Sequence, residues 1–345
     1  MKVGILTAGG DCPGLNAVIR AVARKLIEQE HEPIGLIAGY AGLAERNYMP
    51  LTRADIRGIL QLGGTIISTS SFNPFREPDG VDRVKRAMSE DGIDAVIAVG
   101  GEHTMMITRR LWEEEGVPTI GIPKTIDNDV NGTDFTFGFN TAVQIATDAI
   151  DRLHTTAQSH NRIMVLEVMG RNTGWIALYA AIAGGADGVL IPEIDLPVEE
   201  MAAALTRRHE SGANFSIIVA AEGAELVFES GEKRQVRAHE GTDQYGYVRL
   251  GGIGAALAEE LEELTGFETR VTVLGHVQRG GTPTAYDRVL ATRFGIKAAE
   301  LAIAGEYGRM VALLGHEVDS VPLAEVAGVK QANLRYLEVA RTFFG

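Results

Sequence analysis

The sequence predicts an α/β protein whose mostly parallel sheets are covered by helices and divided over two domains. Three observations carry this expectation. Short apolar runs alternate with helical patterns from one end of the chain to the other. Val and Ile dominate those runs, as strands buried on both faces require. The 345 residues also exceed what a single hydrophobic core usually supports.

The strands are expected at 3–7, 33–37, 95–100, 119–122, 163–168, 189–192, 216–221 and 271–275, each a compact run of aliphatic residues. The first leads into Ala8-Gly9-Gly10-Asp11-Cys12-Pro13-Gly14, a glycine-rich turn before the helical pattern at 15–28. Further helical patterns fall at 81–90, 104–114, 141–154, 198–209, 251–264 and 285–303. The run at 95–100 ends in a second glycine-rich turn, Gly100-Gly101-Glu102-His103-Thr104, which also opens a helix. Near 138–140 a Gly-Phe-Asn turn enters a long helical pattern, the best candidate for a passage between domains. No repeat of 20–50 residues and no low-complexity linker interrupts this order.

Composition narrows the function. The net charge is −14, and no long Lys/Arg run exists, so nucleic acid is not an expected partner. The longest strongly apolar stretch, 175–186, is too short to span a bilayer, and no membrane partner is expected. The first residues read as a strand rather than a signal peptide, and Cys12 is the single cysteine. A cytoplasmic protein without disulfides is the expectation. Against the acidic background, Lys124, Arg162, Arg171, Arg270, His276 and Arg279 stand at or near the ends of strand-like runs. Basic groups so placed imply an anionic ligand.

The most informative stretch is Gly121-Ile122-Pro123-Lys124-Thr125-Ile126-Asp127-Asn128-Asp129. A lysine, a threonine and two aspartates follow a buried strand, where open α/β sheets bind ligands. Lys124 offers a compact charge for phosphate, Thr125 a hydroxyl, and Asp127 and Asp129 a base and a metal or polar partner. The turns at Gly9–Gly10 and Gly100–Gly101 allow backbone N–H groups to approach phosphate oxygens beside a helix N-terminus. Glu102 is the expected ligand of Mg²⁺, a hard cation that takes oxygen donors.

Together with GGDCPGLN, GGE, EVMGR at 167–171, AEGA at 221–224 and VLGHVQRGG at 273–281, this segment resembles the 6-phosphofructokinase family of the bacterial ATP- or pyrophosphate-dependent type. The resemblance covers essentially the whole chain and looks especially like the actinobacterial mixed-donor group. It implies two similar three-layer α/β/α domains with the active site in the cleft between them. It implies residues 1–138 plus 278–328 as the donor-binding domain, and 139–277 plus 329–345 as the sugar-phosphate-binding domain. By resemblance, Asp127 takes the proton from the 1-hydroxyl of fructose 6-phosphate, assisted by Lys124, Thr125 and Asp129. Gly9, Gly10, Ser71, Gly101, Glu102, His103 and Thr104 would line the donor, pyrophosphate or ATP. Met169, Gly170, Arg171, Glu222, His276 and Arg279 would grip the sugar phosphate. Arg162 and Arg270 would reach it from a neighbouring subunit, which implies a homo-oligomer, a homotetramer or homodimer.

The donor side departs from the family pattern. His103 stands where ATP users carry glycine and pyrophosphate users aspartate, and its volume should crowd a nucleotide α-phosphate. Ser71 replaces a phosphate-bridging arginine, with Arg76 five residues on. Lys124 matches the pyrophosphate-using and mixed-donor group. The balance favours pyrophosphate over ATP. It leaves open ATP, a related sugar phosphotransferase with altered donor or acceptor, and a non-catalytic sugar-phosphate-binding regulator, against which the retained Asp127 argues. Of the family's effector site, Arg20 and Arg24 match, whereas His154 and Ser211-Gly212-Ala213 replace basic residues.

Overall fold

The structure is a computed structural model that describes residues 1–242 and 248–344. The chain forms two compact units. One comprises Met1–Thr141 and Arg279–Lys330, the other Ala142–Gln278 and Gln331–Gly345.

The first unit is built on an eight-stranded sheet. Its order is Glu317–Pro322, Arg309–Leu314, Thr119–Thr125, Ala95–Gly100, Lys2–Thr7, Glu32–Leu36 and Tyr48–Pro50, with Phe137–Gly138 paired to the end of Thr119–Thr125. The interior pairs are parallel and only the two edge pairs are antiparallel. The parallel strands Lys2–Thr7 and Ala95–Gly100 are buried almost throughout, as their Val/Ile content demands. Leu6, Leu36, Val96, Val84 and Leu111 meet in one core on this sheet. Helices Leu15–Glu28 and Ala285–Ala304 pack closely at Gly295, where a Cβ would stand 2.8 Å from the Val18 carbonyl oxygen. The long helix Phe139–His160 starts in this unit. Its first turn is held by buried Asp287, whose Oδ2 accepts from Thr141 N at 2.8 Å and Thr141 Oγ1 at 2.5 Å.

The second unit carries a four-stranded, wholly parallel sheet in the order Thr269–Val273, Ile163–Val168, Ser216–Ala221, Gly188–Leu190. Two short hairpins follow it, Glu225–Val227 with Lys233–Gln235 and Arg237–Thr242 with Val248–Leu250. Ile163, Ile218, Leu205, Leu257 and Leu261 form its core. Glu167, at the end of its strand, is buried because it caps the helix Ile253–Thr265. Its Oε1 accepts from Gly252 N at 3.1 Å and its Oε2 from Gly254 N at 2.8 Å. The strand expected at 271–275 occupies 269–273 instead, because Gly275–Arg279 turns into a 3-10 helix. Among the described residues no helix is long and apolar enough to cross a membrane.

Candidate active site

In the first unit, Lys2–Thr7 lies between Ala95–Gly100 and Glu32–Leu36, so the strand order reverses at its C-terminal end. A crevice at such a reversal is where open α/β sheets take ligands. The three expected segments all emerge there. The turn at 8–14 leaves Lys2–Thr7, the turn at 101–104 leaves Ala95–Gly100, and 124–129 leaves Thr119–Thr125, with Gly100 in register with Pro123.

The loop at 9–12 is anchored from two sides. Gly9 N donates to Ser70 O at 3.0 Å, and Thr69 Oγ1 donates to Gly9 O at 2.7 Å, which brings Ser71 to the loop's edge. Arg76 is exposed and is not among these contacts. From the other side the buried Lys124 Nζ donates to Gly10 O, and Arg279 Nη1 donates to Asp11 O at 3.4 Å. The Arg279 guanidinium lies against Gly10, in the space a Cβ there would enter, so a larger residue would displace the arginine's tip. Arg279, implied by resemblance for the sugar phosphate, thus lies against the glycine-rich loop of this unit. Burial pushes the Lys124 ammonium below its ordinary pKa, with Cys12 opposing and Arg279 adding to the fall.

The second turn opens the helix Glu102–Glu113, with Glu102 in its first turn, where the helix dipole tolerates negative charge and anions. His103 is half-buried and Thr104 is buried against Gly100. The backbone of Gly101 lies beside the Lys124 carbonyl, so the two segments adjoin.

The third segment is a tight turn. Asp127 N donates to Thr125 Oγ1 at 3.0 Å. Asn128, fully buried, takes the left-handed conformation at φ 52°, which asparagine tolerates. Asp127 and Asp129 therefore flank a fixed bend. Burial pushes the Asp129 carboxyl up, opposed by hydrogen bonds and by the Lys330 and Lys124 charges. Among the described residues no group of three or more His, Cys, Asp or Glu could hold a metal by protein ligands alone. Glu102 and Asp129 instead stand after neighbouring strands. One or two carboxylates completed by phosphate oxygens is the donor set Mg²⁺ takes, and these residues fit it.

In the second unit the parallel strand ends gather Met169, Gly170, Arg171 and Glu222. Glu222 N donates to Val168 O at 2.9 Å and Gly223 N to Gly170 O at 3.0 Å. Gly170 has φ 139°, and a Cβ there would meet the Thr173 carbonyl oxygen at 2.6 Å. His276 is exposed on the Gly275–Arg279 turn. Sequence reasoning missed Gln278. Buried completely, it accepts from Met169 N at 2.7 Å through Oε1 and donates to Ala142 O at 3.3 Å, so it fixes the Met169 end of the site. The only signal was its place inside VLGHVQRGG.

Arg162 and Arg270 are not brought to that end. Arg162 precedes Ile163–Val168 and Arg270 is the second residue of Thr269–Val273, so both sit at the opposite, N-terminal end of these adjacent strands. A six-residue strand separates the two ends by ~20 Å. There Arg162 Nε donates to Glu268 Oε2 at 2.7 Å, and Arg270 Nη2 donates to Glu268 Oε1. His154, which stands where the family's effector site carries a basic residue, hydrogen-bonds the Gly184 carbonyl through Nε2 at 2.8 Å, and its ring lies edge-on to Phe215.

Glycine-rich turns after parallel strands, a buried lysine and paired carboxylates define an α/β protein of the phosphate-binding class. The phosphofructokinase family model matches residues 2–302, and the chain belongs to the phosphofructokinase family. It is 50% identical to a protein of Streptomyces coelicolor named pyrophosphate–fructose 6-phosphate 1-phosphotransferase, covering 100% of both chains. It is 52% identical to an ATP-dependent 6-phosphofructokinase of Chloroflexus aurantiacus, covering 95% of this chain and 91% of the other. Pichia pastoris phosphofructokinase in the T-state matches with a TM-score of 0.81 at 32% identity. That match covers 99% of this chain and 36% of the yeast chain, so the chain spans about a third of it. The fold alone is shared with a pyrophosphate-dependent phosphofructokinase of Nitrosospira multiformis, TM-score 0.83 at 18% identity, covering 100% and 92% of the two chains.

Proposed function

We propose that this protein is a phosphotransferase of glycolysis that moves a phosphoryl group from pyrophosphate to O1 of fructose 6-phosphate, giving fructose 1,6-bisphosphate. The observation that carries this reading is the bend at Asp127-Asn128-Asp129. It is held by Thr125 at the end of an interior strand, beside both glycine-rich turns.

Asp127 accepts the proton of the sugar 1-hydroxyl as O1 forms its bond to phosphorus. The phosphorus–oxygen bond of the donor breaks, and its electrons leave with orthophosphate. Positioning and charge neutralisation carry most of the rate. The Gly9–Gly10 and Gly101 backbone, Ser71, His103 and Thr104 hold the donor in the first unit, with Lys124 supplying positive charge, and Arg279 reaches the sugar phosphate. Met169, Gly170, Arg171, Glu222 and His276 hold the sugar phosphate in the second. Glu102 and Asp129 would hold Mg²⁺, which when bound neutralises phosphate charge. Arg162 and Arg270 act on the site of a second subunit, a reading supported by their place at the far end of the strands. A cytoplasmic homotetramer, or a homodimer, satisfies that requirement.

ATP as donor is the second reading, favoured by the 52% identity to an ATP-dependent relative. The experiment is a donor panel of pyrophosphate, ATP, GTP and ADP with Mg²⁺ and fructose 6-phosphate, run on the wild type and on Asp127→Ser. Asp127→Ser should retain its fold and sugar-phosphate binding while kcat falls at least ~10²-fold, as for a lost general base. An unchanged kcat rejects the role given to Asp127, and no turnover by the wild type with any donor rejects the reaction.

A further inference from the structure

We infer that Lys330 is a positioning residue for this reaction, its ammonium holding the bend that carries Asp127 and Asp129. This inference rests on the role of Asp127 proposed above. Lys330 lies far from that loop in sequence, yet Nζ donates to Asn128 Oδ1, Thr133 O and Asp134 O, each at 2.9 Å. A primary ammonium has three N–H donors, and all three are directed to one loop. The acceptors are one side-chain amide oxygen and two backbone carbonyls. The Asp129 and Asp134 charges lie near the same ammonium, so the contact combines these hydrogen bonds with charge attraction to the loop.

The bonded atoms explain why the contact bears on catalysis. Asn128 is the left-handed residue between the two aspartates. Its Oδ1 accepts from Thr136 N at 3.1 Å as well as from Lys330, so the amide ties both limbs of the loop to the bend. The backbone extends the anchor. Lys330 N donates to Asp129 O at 2.9 Å, and Val329 bridges antiparallel to Val130. Asn131 Nδ2 donates to Ala327 O at 2.7 Å and Gly328 O at 2.9 Å. Residues 327–330 thus form a strip along the loop, and Lys330 is the last residue of its unit. The backbone contacts would survive a side-chain substitution at 330. The three Nζ bonds would not, and those are the ones that reach Asn128. A reacting group displaced by about 1 Å can cost ~10²-fold in rate.

The test is Lys330→Met, which retains an unbranched chain and removes the ammonium, measured beside Lys330→Arg and Asp127→Ser. Lys330→Met should lower kcat by ~10- to ~10²-fold while KM for fructose 6-phosphate moves less than about threefold. Lys330→Arg should restore part of kcat. In the Asp127→Ser background Lys330→Met should cost nothing further, because the two residues act as one unit. Amide hydrogen exchange across 127–136 should rise in Lys330→Met and remain at wild-type rates in the sheet. Unchanged kcat, or exchange in 127–136 that stays at the wild-type rate, overturns the inference. So does a loss of kcat that only follows a loss of thermal stability. Exchange is read without turnover. A failure of the proposed reaction therefore shows in the wild-type assay, and a failure of the anchor shows in the exchange rates. If Lys330→Met does not fold, Lys330→Gln is read by the same criteria.

Discussion

Arg162 and Glu268 are joined by a 2.7 Å hydrogen bond from Nε to Oε2, and the same carboxylate takes Arg270 on its other oxygen. One glutamate thus holds two arginines side by side at the N-terminal end of two adjacent strands in the second unit's sheet. Hydrogen bonding to Arg162 is the main cause that keeps the Glu268 carboxyl below its ordinary pKa. Paired guanidinium groups match the geometry of a phosphate dianion.

Arg162→Ala or Arg270→Ala should therefore act on sugar-phosphate affinity. Each charged hydrogen bond contributes ~1.5–3 kcal/mol, which corresponds to a ~10- to ~10²-fold rise in KM. Mixing Arg162→Ala chains with Asp127→Ser chains is the sharper measurement. If sites are shared between subunits, hybrid oligomers regain part of the activity that each homo-oligomer lacks. No recovery after proven subunit exchange would show that Arg162 serves no second site.

Cys12 should be inert in the native protein. It is fully buried, and burial pushes its thiol from an ordinary 9.0 up to about 12, with the Lys124 charge opposing. The thiolate is the reactive form, so a disulfide reagent at pH 8 should titrate no thiol until denaturant is added. The linkage has a definite sign. The folded state retains a proton that the unfolded chain releases above pH 9, so this contribution to stability is complete below pH 9 and is lost between pH 9 and about 12. Cys12→Ala should flatten that part of the pH–stability curve. Rapid labelling of native protein would show the site to be open.

His103 is expected to govern the donor. It follows Gly101 and Glu102 in the first turn of its helix, where a nucleotide would have to pass the glycine-rich turn. His103→Gly should raise kcat/KM for ATP relative to pyrophosphate, and adding Ser71→Arg should raise total activity. If the wild type prefers ATP and His103→Gly leaves the ratio unchanged, the steric reading is wrong.

The parallel strands and the segments that follow them were legible because buried parallel strands are written as continuous aliphatic runs. The edge elements were not. Tyr48–Pro50 is three residues long, and Glu317–Pro322 mixes charge with valine, so neither makes a run. Arg309–Leu314 is apolar, but what makes it a strand is pairing with residues far earlier in the chain. Gln278 and Lys330 escaped for a related reason. Both bond main-chain groups distant in sequence, an arrangement that leaves no spacing pattern. Arg162 and Arg270 illustrate the reverse: their identity was readable, whereas their place at the opposite end of the strands from Arg171 required the strand register.

Neither unit is a continuous stretch of chain, and this has a consequence for biosynthesis. The first unit needs the strands at 309–322 and the anchor at Lys330, which leave the ribosome after nearly all of the second unit. Domains usually fold as they emerge, N-terminal first. Here the first 141 residues must wait with one edge of their sheet open and the Asp127 bend unanchored. A nascent chain stalled before residue 327 would carry Asp127 and Asp129 on a loop that still lacks the 327–330 strip lying along it.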